Sequence, residues 1–125
     1  MELTPYFRSV LEQDRAPVVL CDLQHTILYM NPSAAEHYRR EGGYTLVGKS
    51  LLACHSPAAN RKITEVLAYF ASSPKHNIVY TFRNTQVHKD VYMVALRDTD
   101  GTLIGYYEKH EFRADETSAL YAMED

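Results

Sequence analysis

The chain has no tryptophan, two cysteines, no long apolar run and no basic stripe. Cys21 and Cys54 are too few for the disulfide framework of a small secreted domain. No apolar run of about 18 residues occurs, so no membrane span is expected. The opening, Met1-Glu2-Leu3-Thr4-Pro5, lacks the basic and apolar regions of a signal peptide. Together these absences set the expectation of a cytoplasmic protein. Thirteen Lys and Arg are scattered against sixteen Asp and Glu, for a net charge of -3. That balance gives no electrostatic case for nucleic-acid binding. Also missing are a Gly-x-Ser-x-Gly elbow, a phosphate loop, a dinucleotide fingerprint and the His-Glu-x-x-His and Cys-x-x-Cys spacings. Neither an enzyme nor a dedicated metal site is expected.

What is present suits one domain with one core. The length is 125 residues and 46% of them are hydrophobic, too many for a disordered chain. A domain of this size buries roughly two thirds of its unfolded surface. Thr4 and Pro5 are expected to open a first helix with Phe7, Val10 and Leu11 on one face, stopped at Pro17. Val18 to Leu20 and Thr26 to Met30 read as a pair of strands. Asn31 and Pro32 then cap a short helix that Gly42-Gly43 breaks. Ser56 and Pro57 repeat that signal, and Ala59, Ile63, Val66, Leu67 and Phe70 follow at helical spacing until Pro74. Three strands are expected over Ile78–Phe82, Val91–Leu96 and Leu103–Tyr107, with Asp100-Gly101 turning the last pair. Val19, Ile27, Ile63, Leu67, Phe70, Val94 and Leu103 are the expected core.

The stretch from Pro17 to Glu36 resembles the opening of a PAS domain: an apolar strand ending at Asp22, a second ending at Asn31, then an Ala-rich helix. Leu46-Val47-Gly48-Lys49-Ser50 is similar to the segment before that family's long helix, and Asn77 to Glu111 to its three closing strands. Cys54-His55-Ser56-Pro57 is similar to an element of one subgroup from bacterial regulatory proteins. The resemblance implies an α+β fold: a five-stranded antiparallel sheet with helices packed on one face and flanking terminal helices. It spans a core of about residues 16–113, with an N-terminal helix over 1–15 and a tail or short helix over 114–125. It implies a sensory or signalling module, not a catalyst. Such a module would bind a small molecule or partner protein and relay its state to a downstream signalling protein.

A ligand is expected between the inner sheet face and the helices. The candidate lining is Tyr29, Leu52, Cys54, His55, Ile63, Tyr80, Tyr92 and Met93, with strand register deciding which tyrosines face inward. Mostly apolar groups with a few hydroxyls and one imidazole suit a small apolar or aromatic molecule. Three readings of Cys54-His55 stay open: a hydrogen bond from His55 that shapes the loop, axial ligation of haem by His55, or a redox-responsive Cys54 thiol. The flavin photosensors of the family carry Gly-x-Asn-Cys-Arg-Phe, which Gly48-Lys49-Ser50-Leu51-Leu52 does not match, so flavin is not expected. His25 and His76 are expected on exposed loops. Leu3, Phe7, Val10 and Leu11 would form an apolar stripe suited to a C2 homodimer. A ligand-free dimerisation module is the remaining alternative.

Overall fold

The structure is a computed structural model and describes residues 1–124. Its elements are α1 (Thr4–Gln13), β1 (Val18–Asp22), β2 (Ile27–Met30), α2 (Pro32–His37), α3 (Pro57–Ser72), β3 (Ile78–Asn84), β4 (Lys89–Arg97) and β5 (Leu103–Phe112). Three 3₁₀ turns over Arg39–Glu41, Gly43–Leu46 and Leu51–Cys54 join α2 to α3. The five strands form one antiparallel sheet in the order β2-β1-β5-β4-β3. The fold is the expected α+β arrangement, except that residues 114–124 form no helix, so only the N-terminal flank is helical.

Side chains alternate across a strand, so each register pair assigns a face. Val19 and Cys21 of β1, Met93 of β4 and Tyr106 of β5 join Ile63 and Phe70 of α3 in one buried cluster. That is the inner face. Val19, Ile27, Ile63 and Phe70 are buried as expected, while Leu67 and Leu103 pack half-buried against the same cluster. Val94 departs from expectation. It neighbours Met93 in β4, so it turns to the outer face beside Ile78.

Local chemistry sets the element ends. The α1 helix begins at Thr4 and closes at Asp14, before Pro17, where the Asp14 carboxylate accepts the Ala16 N–H at 2.9 Å. Thr4 lies inside the helix, so its hydroxyl does not cap it. The Asn31 and Ser56 side chains do cap α2 and α3, accepting from Ala34 N and Ala59 N. The α2 helix ends at His37, ahead of the glycines, and Gly42 takes φ 128° in the turn that follows. Between β4 and β5, Gly101 at φ 89° lets a short loop close with its N–H on the Asp98 carbonyl.

Asn31 ties three segments together. It is fully buried. Its Oδ1 accepts from Val18 N and Ala34 N, each at 2.9 Å. Its Nδ2 donates to the carbonyls of Leu11 at 2.9 Å and Ala16 at 3.0 Å. One amide thus joins the end of α1, the start of β1 and the cap of α2. Gly105, in the central strand, passes so close to β1 that a Cβ there would lie 2.2 Å from the Cys21 carbonyl oxygen.

Candidate ligand pocket

Between α3 and the inner ends of β3, β4 and β5 lies a cavity of about 530 Å³. That volume is within the range of small-molecule sites. One wall is apolar, formed by Ile63, Val66, Phe82, Val91 and Met93. The other is polar. Glu108 and His110 stand two residues apart on β5 and therefore share the inner face. Lys89 comes from β4, and His37, Tyr38 and His55 from the α2–α3 region.

The polar wall is organised around Glu108. His110 Nε2 lies 2.8 Å from Glu108 Oε1, and the Tyr38 hydroxyl donates to the same oxygen at 3.0 Å. Burial alone would raise the Glu108 carboxyl, but the His110 hydrogen bond and charge, with the Tyr38 hydroxyl, hold it below its ordinary value. Glu108 is therefore an anion at neutral pH. Burial pushes the Tyr38 hydroxyl far up, and the Glu108 charge adds to it, so Tyr38 remains a donor. Burial lowers the Lys89 ammonium, against a raising influence from Glu108. His37 is lowered by burial first and by the Lys89 charge second, and its ring meets His110 edge-on with centroids 5.6 Å apart.

The structure divides the expected lining residues. His55, Ile63 and Met93 line this cavity. Cys54 faces a separate dry crevice with Val19, Ile27, Met30 and Leu51, and Leu52 packs against the core beside it. Three tyrosines require correction. Tyr92 neighbours inward-facing Met93, and Tyr80 pairs directly with Tyr92, so both lie on the outer face. Tyr29 pairs with Leu20 on that face, and its hydroxyl donates to Glu12 of α1. The outer tyrosines serve an ion network instead. Asp90 accepts from Tyr80 at 2.7 Å, Arg83 at 3.0 Å and Arg113 at 2.9 Å, and Arg113 also donates to Tyr92 at 2.7 Å.

His55 takes the loop-shaping geometry. Its Nδ1 lies 2.9 Å from the Leu51 carbonyl, so that nitrogen carries the proton and Nε2 is left as an acceptor. His25 is not free on a loop. It is half-buried and bonded through Nδ1 to the Tyr106 hydroxyl at 2.8 Å. Burial pushes the Cys21 thiol up to about 12, which leaves it a packing group. Among the described residues no group of three His, Cys, Asp or Glu side chains is placed to hold a metal ion. None of their helices is long and apolar enough to cross a membrane.

A family model described as the PAS fold matches residues 11–109. The chain belongs to the PAS fold family. Solved structures share the arrangement at low identity. The PAS domain of a Colwellia psychrerythraea protein superposes with a TM-score of 0.65 at 13% identity, covering 89% of this chain and 97% of that one. The C-terminal domain of a Streptococcus mutans protein gives 0.66 at 21% identity, covering 85% of this chain and 81% of that one. The Aer2 receptor of Vibrio cholerae, a dual PAS–haem oxygen sensor, gives 0.52 at 21% identity, with coverage of 74% and 88%. At these identities the likeness is one of fold. No curated protein matches the chain. PAS domains are in general sensory and signalling modules.

Proposed function

We propose that this PAS domain is a small-molecule sensor whose ligand occupies the cavity between α3 and the sheet, and whose state is relayed through α1 and a homodimer. The observation carrying this reading is a cavity of about 530 Å³ lined by apolar side chains of α3 and β4 together with a convergent polar set. A filled dimerisation module has no reason to place Lys89, Glu108 and His110 at such a space, because burying polar groups is unfavourable unless they are satisfied. Native mass spectrometry of freshly purified protein tests it. The expected result is a bound small mass released on denaturation, or a specific gain in melting temperature from a metabolite library. A homogeneous unliganded mass with no stabilising compound would favour the ligand-free module.

Haem does not suit this cavity. His55 offers one ring nitrogen, but it shares the polar side of the cavity with Glu108, His110 and Lys89. Haem propionates would answer the cavity's lysines, but the porphyrin face would then lie against the Glu108 anion and the buried His110 Nδ1, to which it offers no partner. Protein expressed with haem supplied should therefore be colourless. A Soret band lost in His55→Ala would overturn that statement.

The relay rests on α1. Phe7 and Val10 are exposed, and so are Leu3 and Tyr6. The helix is held by its other side, through Leu11 to Asn31 and Glu12 to Tyr29. A C2 dimer would cover the bare stripe on both copies at once. Sedimentation should give a dimer at micromolar concentration, and a monomer at high micromolar concentration would refute the dimer.

A further inference from the structure

The cavity has two polar groups that the protein itself leaves without a counterpart. His110 has a 4% exposed side chain, and its Nε2 is committed to Glu108. Among the described residues its Nδ1 is buried with no hydrogen-bond partner. A buried imidazole nitrogen in that state is destabilising unless something in the cavity meets it. Lys89 is 7% exposed and lines the same cavity. Among the described residues its ammonium makes no ion pair within 4.0 Å. Buried lysines are rare unless paired. Among the described residues the one carboxylate lining the cavity is Glu108, which already accepts from both Tyr38 and His110. Lys62 at the mouth adds a second ammonium, so the lining carries two lysines against one carboxylate.

Resting on the sensor reading, we propose that the ligand is a small organic acid, with its apolar body against Ile63, Val66 and Met93 and its carboxylate on Lys89 and His110. One anion completes both unmet groups. It accepts from the Lys89 ammonium and, with one proton taken up from solvent together with the acid anion, from Nδ1–H of a His110 imidazolium whose Nε2–H stays on Glu108. The lowered Lys89 and His37 values fit a desolvated, electropositive corner that an anion would relieve. Charge selects the ligand class here, and the apolar wall limits its size. A neutral molecule of the same shape leaves the lysine unpaired, and a cation adds like charge to it.

Matched probes test this: phenylacetate and indole-3-acetate against phenylacetamide and indole-3-acetamide, titrated by calorimetry into the full chain. Each acid should bind at least about tenfold more tightly than its amide, equivalent to 1.4 kcal/mol. In Lys89→Met, which retains the apolar stem, that preference should disappear. The unaltered protein gives an independent readout, because acid binding should shift the His110 Nδ1 nitrogen resonance. Amides binding as well as acids would overturn the organic-acid assignment and leave the cavity as a ligand site. Acid preference surviving in Lys89→Met, or acid binding without a His110 shift, would also overturn it. No binding by any of the four probes at millimolar concentration overturns the assignment. The sensor reading would then rest on the co-purified mass alone.

Discussion

Replacing Asn31 with alanine tests whether one amide holds the N-terminal third of the fold together. Four of its hydrogen bonds are 3.0 Å or shorter: from Val18 N and Ala34 N, and to Leu11 O and Ala16 O. Each is worth about 0.5–1.5 kcal/mol net, which gives roughly 2–6 kcal/mol for the set. The α2 cap, about 0.5–2 kcal/mol on its own, is contained in that sum. Asn31 is fully buried, so water does not readily replace the lost partners. The expected loss is about 3–5 kcal/mol, a large part of the roughly 5–15 kcal/mol that holds a typical domain together. Urea unfolding followed by far-ultraviolet circular dichroism measures it, and α1 amides should exchange faster in the variant. Asn31→Asp separates the two sides of the group. It keeps the acceptor for Val18 and Ala34 but sets a charged oxygen against the Leu11 and Ala16 carbonyls. It should be as damaging as alanine at neutral pH and should recover as the carboxyl protonates. An Asn31→Ala loss below about 1 kcal/mol would refute the tie, because even a surface cap is worth that much.

Phe70→Ala removes a fully buried ring from α3 and should lose about 3–5 kcal/mol in the same unfolding assay; a loss below about 1 kcal/mol would mean that α3 does not seat on the sheet. Gly105→Ala puts a Cβ against the Cys21 carbonyl, so β1 must move away from β5, and amide exchange should accelerate across Val18–Asp22; unchanged protection there would contradict the close approach. Asp90 is held well below the ordinary carboxyl range by Arg83 first, then Tyr80 and Arg113. A depressed folded value stabilises the fold above the unfolded pKa of about 3.9, and that contribution is lost as pH falls below it. Asp90→Asn should therefore lower the melting temperature at pH 7 and lower it progressively less toward pH 2; a constant gap would exclude the charge as the cause.

The element order was legible because local signals were strong. Asn31-Pro32 and Ser56-Pro57 are cap-plus-proline pairs, and both open helices in the structure. The apolar stripe of α3 follows from its spacing alone. The pocket was harder to read, for a physical reason. In β5 both faces are polar: Glu108 and His110 look inward, while Tyr107, Lys109 and Glu111 look outward. Hydropathy alternation cannot separate such faces. The Glu108-x-His110 spacing did place two titratable groups on one side of a strand. Tyr92 and Met93 are adjacent, so alternation required that they point apart, but register was needed to say which turned inward. Tyr80 follows Tyr92 outward, and the irregularity between Tyr80 and Phe82 returns Phe82 to the inner face. Lys89 gave no warning, since a lysine beside a turn ordinarily lies in solvent.

The position of β5 bears on how the chain acquires its fold. The last strand in sequence is the middle of the sheet, with β1 on one side and β4 on the other. Val18 must find Lys109, 91 residues further along the chain, before the first hairpin has a neighbour. Until Leu103–Phe112 is in place, β1–β2 and β3–β4 are separate two-stranded ribbons, and such ribbons are marginal in water. Pairings this distant make folding slow, because a large loop must close before its contacts contribute. A chain cut before Leu103 would therefore not form a smaller version of the sheet. It would leave two hairpins with open edges, and the inner wall carrying Glu108 and His110 would never be built.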